Sequence, residues 1–223
     1  MNEELELAEL TTADASPRQC RVCQQEIQFD AACWQACREY SAVFFKSLQF
    51  GRVRGIVTLA ACQESDPAQT AALVEMTQEL LKRDILVAVS GCTAEAFDAI
   101  GMMGEGAFDY AGEGLAEVCD FIGITPVIRM GGSVDHADVM EFYYLLAKHV
   151  GASLKDLPLA ALATNAVQEN NALLNQLQGI YGSVARLSGD AMASADRLDE
   201  LVHEKRLSLG WSDRYHCSME TYS

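Results

Sequence analysis

A Rossmann-like α/β domain is the fold class this sequence predicts: a parallel sheet flanked by helices, with a Cys-rich helical segment before it and a helical C-terminus after it. Three observations predict it. Two short apolar runs rich in β-branched residues, 54–61 and 85–90, bracket one stretch of helical periodicity at 68–83. Two further runs, 126–130 and 157–162, are each preceded by helical patterning. Strand, helix and strand in alternation imply parallel pairing with right-handed crossovers.

The elements follow in order. Residues 1–17 read as a polar leader ending near Pro17. Residues 18–48 hold four cysteines and read as mainly helical, with Phe44, Phe45 and Leu48 spaced to face a core. The first strand spans 54–61. Pro67 is placed to open a helix over 68–83, with Leu73, Met76, Leu80 and Leu81 on one face. Lys82 and Arg83 close it, where cations suit the helix dipole. The second strand, 85–90, leads to a helix over 93–103 and a Gly-rich loop over 104–112. A helix over 113–122 precedes the third strand, 126–130. Gly131-Gly132-Ser133 turns the chain, and Asp135 caps a helix running to 150. The fourth strand is 157–162. Beyond Asn165 the chain reads as mostly helical, ending with a helix over 195–209 and an aromatic, polar tail over 210–223. The expected division is 1–50, 51–165 and 166–223.

Composition narrows the function. The chain has 223 residues, half of them hydrophobic, which is enough for a real core. It carries 32 acidic against 16 basic residues, a formal net charge of −16. That charge argues against nucleic acid and against an anionic membrane surface as partners. No apolar stretch reaches the roughly 18–20 residues of a spanning helix. The acidic start, Met1-Asn2-Glu3-Glu4, is unlike a secretory signal, so the expected location is cytoplasmic. Thiols stay reduced there, and clustered cysteines read as metal-binding or catalytic.

Of the eight cysteines, the informative ones are clustered. Cys20-x-x-Cys23 is followed by Cys33-x-x-x-Cys37. Four thiolates at such spacing suit zinc or an iron–sulfur cluster. The alternative is four unrelated thiols on a helical hairpin. Cys62 and Cys92 each fall just past an apolar run, at the edge where parallel sheets place their ligands. Two thiols delivered there can share a metal or a cluster. Cys119 reads as a core residue within its helix. His216 and Cys217 read as part of a tail, a metal donor pair being the alternative. Gly112-Glu113-Gly114 reads as a helix-start loop, and His149 as a residue suited to a helix C-terminus. Trp34, Phe44, Phe45, Tyr143 and Tyr144 read as core or interface residues. The run Phe142-Tyr143-Tyr144-Leu145-Leu146 suggests an oligomer contact on part of its surface.

The stretch Gly51 to Cys62, with Arg54-Gly55-Ile56-Val57 inside it, resembles the C-terminal domain of the nickel–iron carbon monoxide dehydrogenases. There an "IRGV…GCNN" segment supplies one cysteine to the active-site cluster. The family's "ILVxxTGCxA" is similar to Ile85-Leu86-Val87-Ala88-Val89-Ser90-Gly91-Cys92-Thr93-Ala94. Cys62 and Cys92 are 30 residues apart, as in the family. The resemblance continues through Gly101-Met102-Met103 and Ala111 to Leu115. It runs on into Thr125 to Gly131, similar to "PPVLHMGSCVDN", and Leu154 to Ala161, similar to "DLPVVASA". It implies that Cys62 and Cys92 ligate a cluster, of four-iron type or a variant, and it allows nickel.

The departures are specific. Ser133 stands where the motif has its cysteine, and His136 where it has its asparagine. Serine is a poor cluster ligand; His136 is a nitrogen donor that can substitute from a different approach. The "VKDIT" segment with the family's catalytic lysine has no counterpart, and 166–194 reads as replacement helices. The family's two upstream domains are absent from this sequence. Cys20-Arg21-Val22-Cys23 is similar to the family's electron-transfer motif "CRHC" over four residues.

Two functions follow as expectations. One is an iron–sulfur or nickel–iron–sulfur redox metalloprotein acting on a small molecule or passing electrons. The other is a non-catalytic subunit or accessory factor that holds a cluster or nickel for a larger redox complex. If the chain is an enzyme, it is an oxidoreductase of carbon monoxide dehydrogenase type. The expected ligands are Cys20, Cys23, Cys33, Cys37, Cys62 and Cys92, with His136 as a further metal donor. An incomplete ligand set points to a homo-oligomer sharing clusters, a redox complex, or an electron-transfer partner.

Overall fold

The computed structural model describes residue 20 and residues 26–61, 67–132 and 134–212. Cys23, Cys62, Ser133, His216 and Cys217 lie outside the described residues. Two helices come first, α1 (Ala31–Glu39) and α2 (Ser41–Gln49). Then follow β1 (Gly55–Ala60), α3 (Pro67–Lys82), β2 (Ile85–Ser90) and α4 (Thr93–Ala99). A 3-10 turn at Glu105–Tyr110 leads into α5 (Glu113–Ile122) and β3 (Val127–Gly131). The chain continues with α6 (Ala137–Val150), a 3-10 turn (Leu154–Asp156) and β4 (Leu159–Ala163). It ends with α7 (Asn165–Gln168), α8 (Asn171–Tyr181), β5 (Val184–Arg186) and α9 (Ala191–Ser208).

The sheet has the order β3-β2-β1-β4-β5, and every pairing is parallel. All residues of β1, β2, β3 and β4 are buried. That burial explains why these strands read as nearly continuous apolar runs. From β1 the chain winds outward through β2 to β3, then returns to β4 on the far side of β1. The crevice beyond the carboxyl ends of β1 and β4 is therefore the topological switch point, where open α/β sheets bind ligands.

Helices cover both faces. α3 packs against α9, and α6 packs against α1 and α2. Part of the apolar run of α6 is covered there: Phe142, Tyr143 and Leu146 are buried, and Phe142 meets Trp34 and Phe44. Tyr144 and Leu145 of the same run stay half-buried. Before α1 the chain runs along the edge of the sheet. Phe29 forms an antiparallel bridge with Met130, and the Trp34 indole donates to the Arg129 carbonyl at 2.9 Å.

Three local expectations change. Residues 105–110 form a 3-10 turn rather than a loop. α6 is capped by His136, whose Nδ1 accepts the Asp138 amide at 3.3 Å. Asp135 instead accepts from the Gln176 side chain. The region 166–194 contains a fifth strand, β5, in register with β4 through Leu162 and Ala185.

Candidate metal centre

The site is built on the carboxyl ends of three adjacent strands. Ala60 of β1 stands in register with Ser90 of β2 and Ala163 of β4. One residue further on, the Ala61 amide donates to the Ser90 carbonyl at 3.3 Å, and the Thr164 amide donates to the Ala60 carbonyl at 3.3 Å. Ala61 thus lies between the Ser90-Gly91 turn and Thr164, and Cys62 follows it in the chain.

Gly91 makes the corner. Its φ is +88°, a left-handed conformation that favours glycine. A Cβ there would lie 2.4 Å from the Ala61 carbonyl oxygen. The same position is 3.7 Å from the Sγ of Cys20. The Cys20 thiol therefore rests against the turn that presents Cys92, although Cys20 and Gly91 are 71 positions apart in the chain. Both cysteines are buried, at 3% and 4% exposure. Cys92 immediately precedes α4, whose first turn is Thr93-Ala94-Glu95.

Two hydroxyls at this edge stand out. The Oγ1 atoms of Thr93 and Thr164 are buried and have no hydrogen-bond partner among the described residues. Both residues are fully buried. Natural structures rarely leave such groups unsatisfied without a ligand or water to meet them. Nothing in the sequence marks these two threonines, because burial without a partner is a property of the tertiary structure.

His136 is also near the carboxyl side, five residues past the end of β3. Its ring stacks on Phe29 at 3.6 Å between centroids, with 15° between planes. Burial pushes its pKa below the usual histidine value, against the opposing pull of Asp138 and Asp135. A neutral imidazole is what the cap needs, since Nδ1 must be unprotonated to accept the Asp138 amide. In that tautomer Nε2 carries the proton, so metal binding through Nε2 would require giving up the cap.

The four-cysteine group read from the sequence is divided. Cys33 and Cys37 lie one turn apart on α1, and their electrostatic neighbour is Cys119 of α5. Cys33 also bonds with Asp30 and Thr125, and Thr125 precedes β3 at the amino edge of the sheet. Cys20 is at the opposite, carboxyl edge. Burial, aided by Asp30, pushes the Cys33 thiol up to about 11. Burial also raises Cys37 and Cys119 well above the ordinary thiol value. With no metal to compensate it, that burial keeps all three thiols protonated at neutral pH.

A soft thiolate set suits an iron–sulfur cluster, and the orphaned hydroxyls mark a place where a partner fits. Among the described residues, no three His, Cys, Asp or Glu side chains converge to hold a single metal ion. Cys20 and Cys92 are the described thiols at the carboxyl edge.

Comparison with known proteins places this arrangement in context. The model of the Prismane/CO dehydrogenase family matches residues 2–184. The carbon monoxide dehydrogenase of Methanocaldococcus jannaschii is 26% identical over 191 residues, covering 72% of this chain and 31% of that protein. That of Rhodospirillum rubrum is 36% identical over 128 residues, covering 53% and 20%. A nickel-free carbon monoxide dehydrogenase structure from Thermococcus sp. AM4 shares the fold with a TM-score of 0.64 at 24% identity. The match covers 80% of this chain and 33% of that one. The chain thus spans about a third or less of the length of these relatives.

Proposed function

This chain belongs to the Prismane/CO dehydrogenase family, and from that premise we propose that it is an iron–sulfur redox protein with its cluster at the carboxyl edge of the sheet. Cys62 and Cys92 serve as thiolate ligands, with Cys20 the next in line and Cys23 close to it in the chain. The observation that carries the reading is the approach of the Cys20 thiol to the Gly91-Cys92 corner. Sequence spacing pairs Cys62 with Cys92, and the nearness of the Cys20 thiol to the Gly91 turn supports a third thiol from a distant segment.

A cluster held there supplies one-electron chemistry, either to a small molecule or to a redox partner. The chain's own residues shape that chemistry. Gly91 lets the β2 turn approach Ala61 closely enough to present Cys92. The burial of Cys20 and Cys92 keeps water from the thiolates and disfavours charge until a metal compensates it. Nickel beside the iron is the finer proposal, as is work in the cytoplasm. No described helix is long and apolar enough to cross a membrane.

Purification without oxygen, with iron, sulfide and nickel counted per chain, tests the reading. Iron and sulfide in comparable amounts are expected, and Cys92→Ala and Cys20→Ala should each lower them. Cys37→Ala should not, because Cys37 sits at the other edge. A colourless, iron-free protein from such a preparation overturns the reading.

The second reading is a holding role without turnover, favoured by Ser133 standing where the family motif has a cysteine. Carbon monoxide-dependent reduction of a viologen dye by the metal-replete chain decides against it. A ligand set completed by a second copy would make the loaded protein a dimer. Light scattering that shows a monomer with its cluster intact rejects that arrangement.

A further inference from the structure

The buried hydroxyls of Thr93 and Thr164 are the groups at this edge whose chemistry is otherwise unexplained. Thr93 follows Cys92 directly, and Thr164 is joined to Ala60 by its own amide. They therefore flank the end of β1 from the β2 side and the β4 side. Each is fully buried, and each Oγ1 is without a hydrogen-bond partner among the described residues. Leaving a buried hydroxyl unsatisfied is costly, so the two at this edge need an acceptor or donor to meet them. By contrast, Thr58 and Thr77, also fully buried, both have partners, Tyr181 at 2.7 Å and the Leu73 carbonyl at 2.7 Å.

We propose that Thr93 and Thr164 donate hydrogen bonds to sulfur atoms of the cluster, the thiolate of a ligating cysteine or an inorganic sulfide, and so set its reduction potential. The proposal rests on the cluster reading above. A hydroxyl proton facing sulfur stabilises the reduced cluster, which carries more negative charge, and so raises its potential. Two such donors in a water-poor pocket act more strongly than they would in solvent. They ligate nothing themselves: removing them should leave the metal in place and change its electronics.

The test uses Thr93→Val and Thr164→Val, which keep the shape and delete the hydroxyl, with Thr93→Ser and Thr164→Ser as restoring variants. Iron content and the midpoint potential are measured on anaerobically prepared full chain, the potential by a titration followed by electron paramagnetic resonance. The expected result is unchanged iron and a potential shifted downward in each Val variant, returned toward the parent value by Ser. The metal-free forms give a second readout. There the Val variants should melt at a higher temperature than the parent, because an unsatisfied buried hydroxyl is gone.

Val variants that keep the parent potential overturn the proposal while leaving the cluster reading intact. Metal-free Val variants that melt lower also overturn it, since the hydroxyls would then be satisfied by water or protein. A parent protein that takes up no iron removes the cluster reading and this proposal together.

Discussion

The Arg129 guanidinium meets the Glu95 carboxylate at 2.6 Å, bridging β3 to α4. Asp98 lies 3.2 Å from the other terminal nitrogen. Arg129 is nearly buried, whereas both acids are at least half exposed. The pair ties the helix that begins beside Cys92 to the strand that ends near the same edge. Glu95→Ala should cost about 1–2 kcal/mol, reduced from a fully buried pair by solvent at the carboxylate and by the remaining Asp98. Urea denaturation measures it. An unchanged midpoint would show that Asp98 alone satisfies the arginine.

Lys205 predicts a pH dependence. Its Nζ donates to the carbonyls of Leu159 at 2.5 Å and Tyr181 at 2.7 Å, tying α9 to β4 and α8. Burial pushes its pKa down to about 8, with Asp156 pulling weakly the other way. The unfolded chain holds this proton up to about pH 10.4. Between the two values the unfolded state binds more protons, so the Lys205 contribution to stability rises with pH across that window. Below about 8 both states are charged and the burial penalty is fully present. The Lys205 contribution is at most about 1.4 kcal/mol per pH unit, and it is read as the difference in slope between the parent and Lys205→Met. Denaturation curves from pH 7.5 to 10 check it, and equal slopes in both proteins would refute it.

Thr58 anchors a buried hydroxyl network. Its Oγ1 is 2.7 Å from the Tyr181 hydroxyl and 3.5 Å from that of Tyr143. All three residues are fully buried. Burial raises the Tyr143 phenol to about 12, so it stays protonated and available as a donor. Thr58→Val should cost about 2–3 kcal/mol, because it strands a tyrosine hydroxyl in the core. Adding Tyr181→Phe should recover part of the loss. If the double variant is no more stable than Thr58→Val alone, the cost lies in packing rather than in the network.

Gly91 is the most constrained position of the site. Alanine there faces both a φ of +88° and a carbonyl oxygen 2.4 Å from its Cβ. The substitution should cost at least about 2 kcal/mol and displace Cys92 from Ala61. Lower iron content alongside lower stability is the expected signature. Full iron retention would mean that the corner is not needed to present the thiol.

Four of the five strands were legible because burial on both faces makes each an unbroken apolar run between turn signals. β5 was not: it is three residues long, lies at the sheet edge and is buried at only one position. Such a strand has neither the length nor the periodicity to stand out. The 3-10 turn at Glu105–Tyr110 escaped for a related reason, since a short i to i+3 segment has no 3.6-residue stripe. The cap of α6 moved by one residue because Gln176, from α8, occupies the Asp135 carboxylate.

At the candidate site, the apolar pattern put a cysteine at the end of β2, and the motif resemblance gave the family, which the family match bears out; composition and spacing located only the thiols. They could not tell that Cys20 parts company with Cys33 and Cys37. Phe29 bridges to Met130 at the edge of β3, Cys20 lies at the carboxyl end of the sheet, and Cys33 faces Thr125 toward the other end.

The alternation of strands and helices, and with it the parallel sheet and the edge at which its ligands belong, could be read from the residues alone. Those properties are local, written in hydrophobic period and turn chemistry. Which thiols share that edge, and which hydroxyls are buried there without partners among the described residues, follows from tertiary packing. Both depend on contacts between segments far apart in the chain, and no local pattern of residues encodes them.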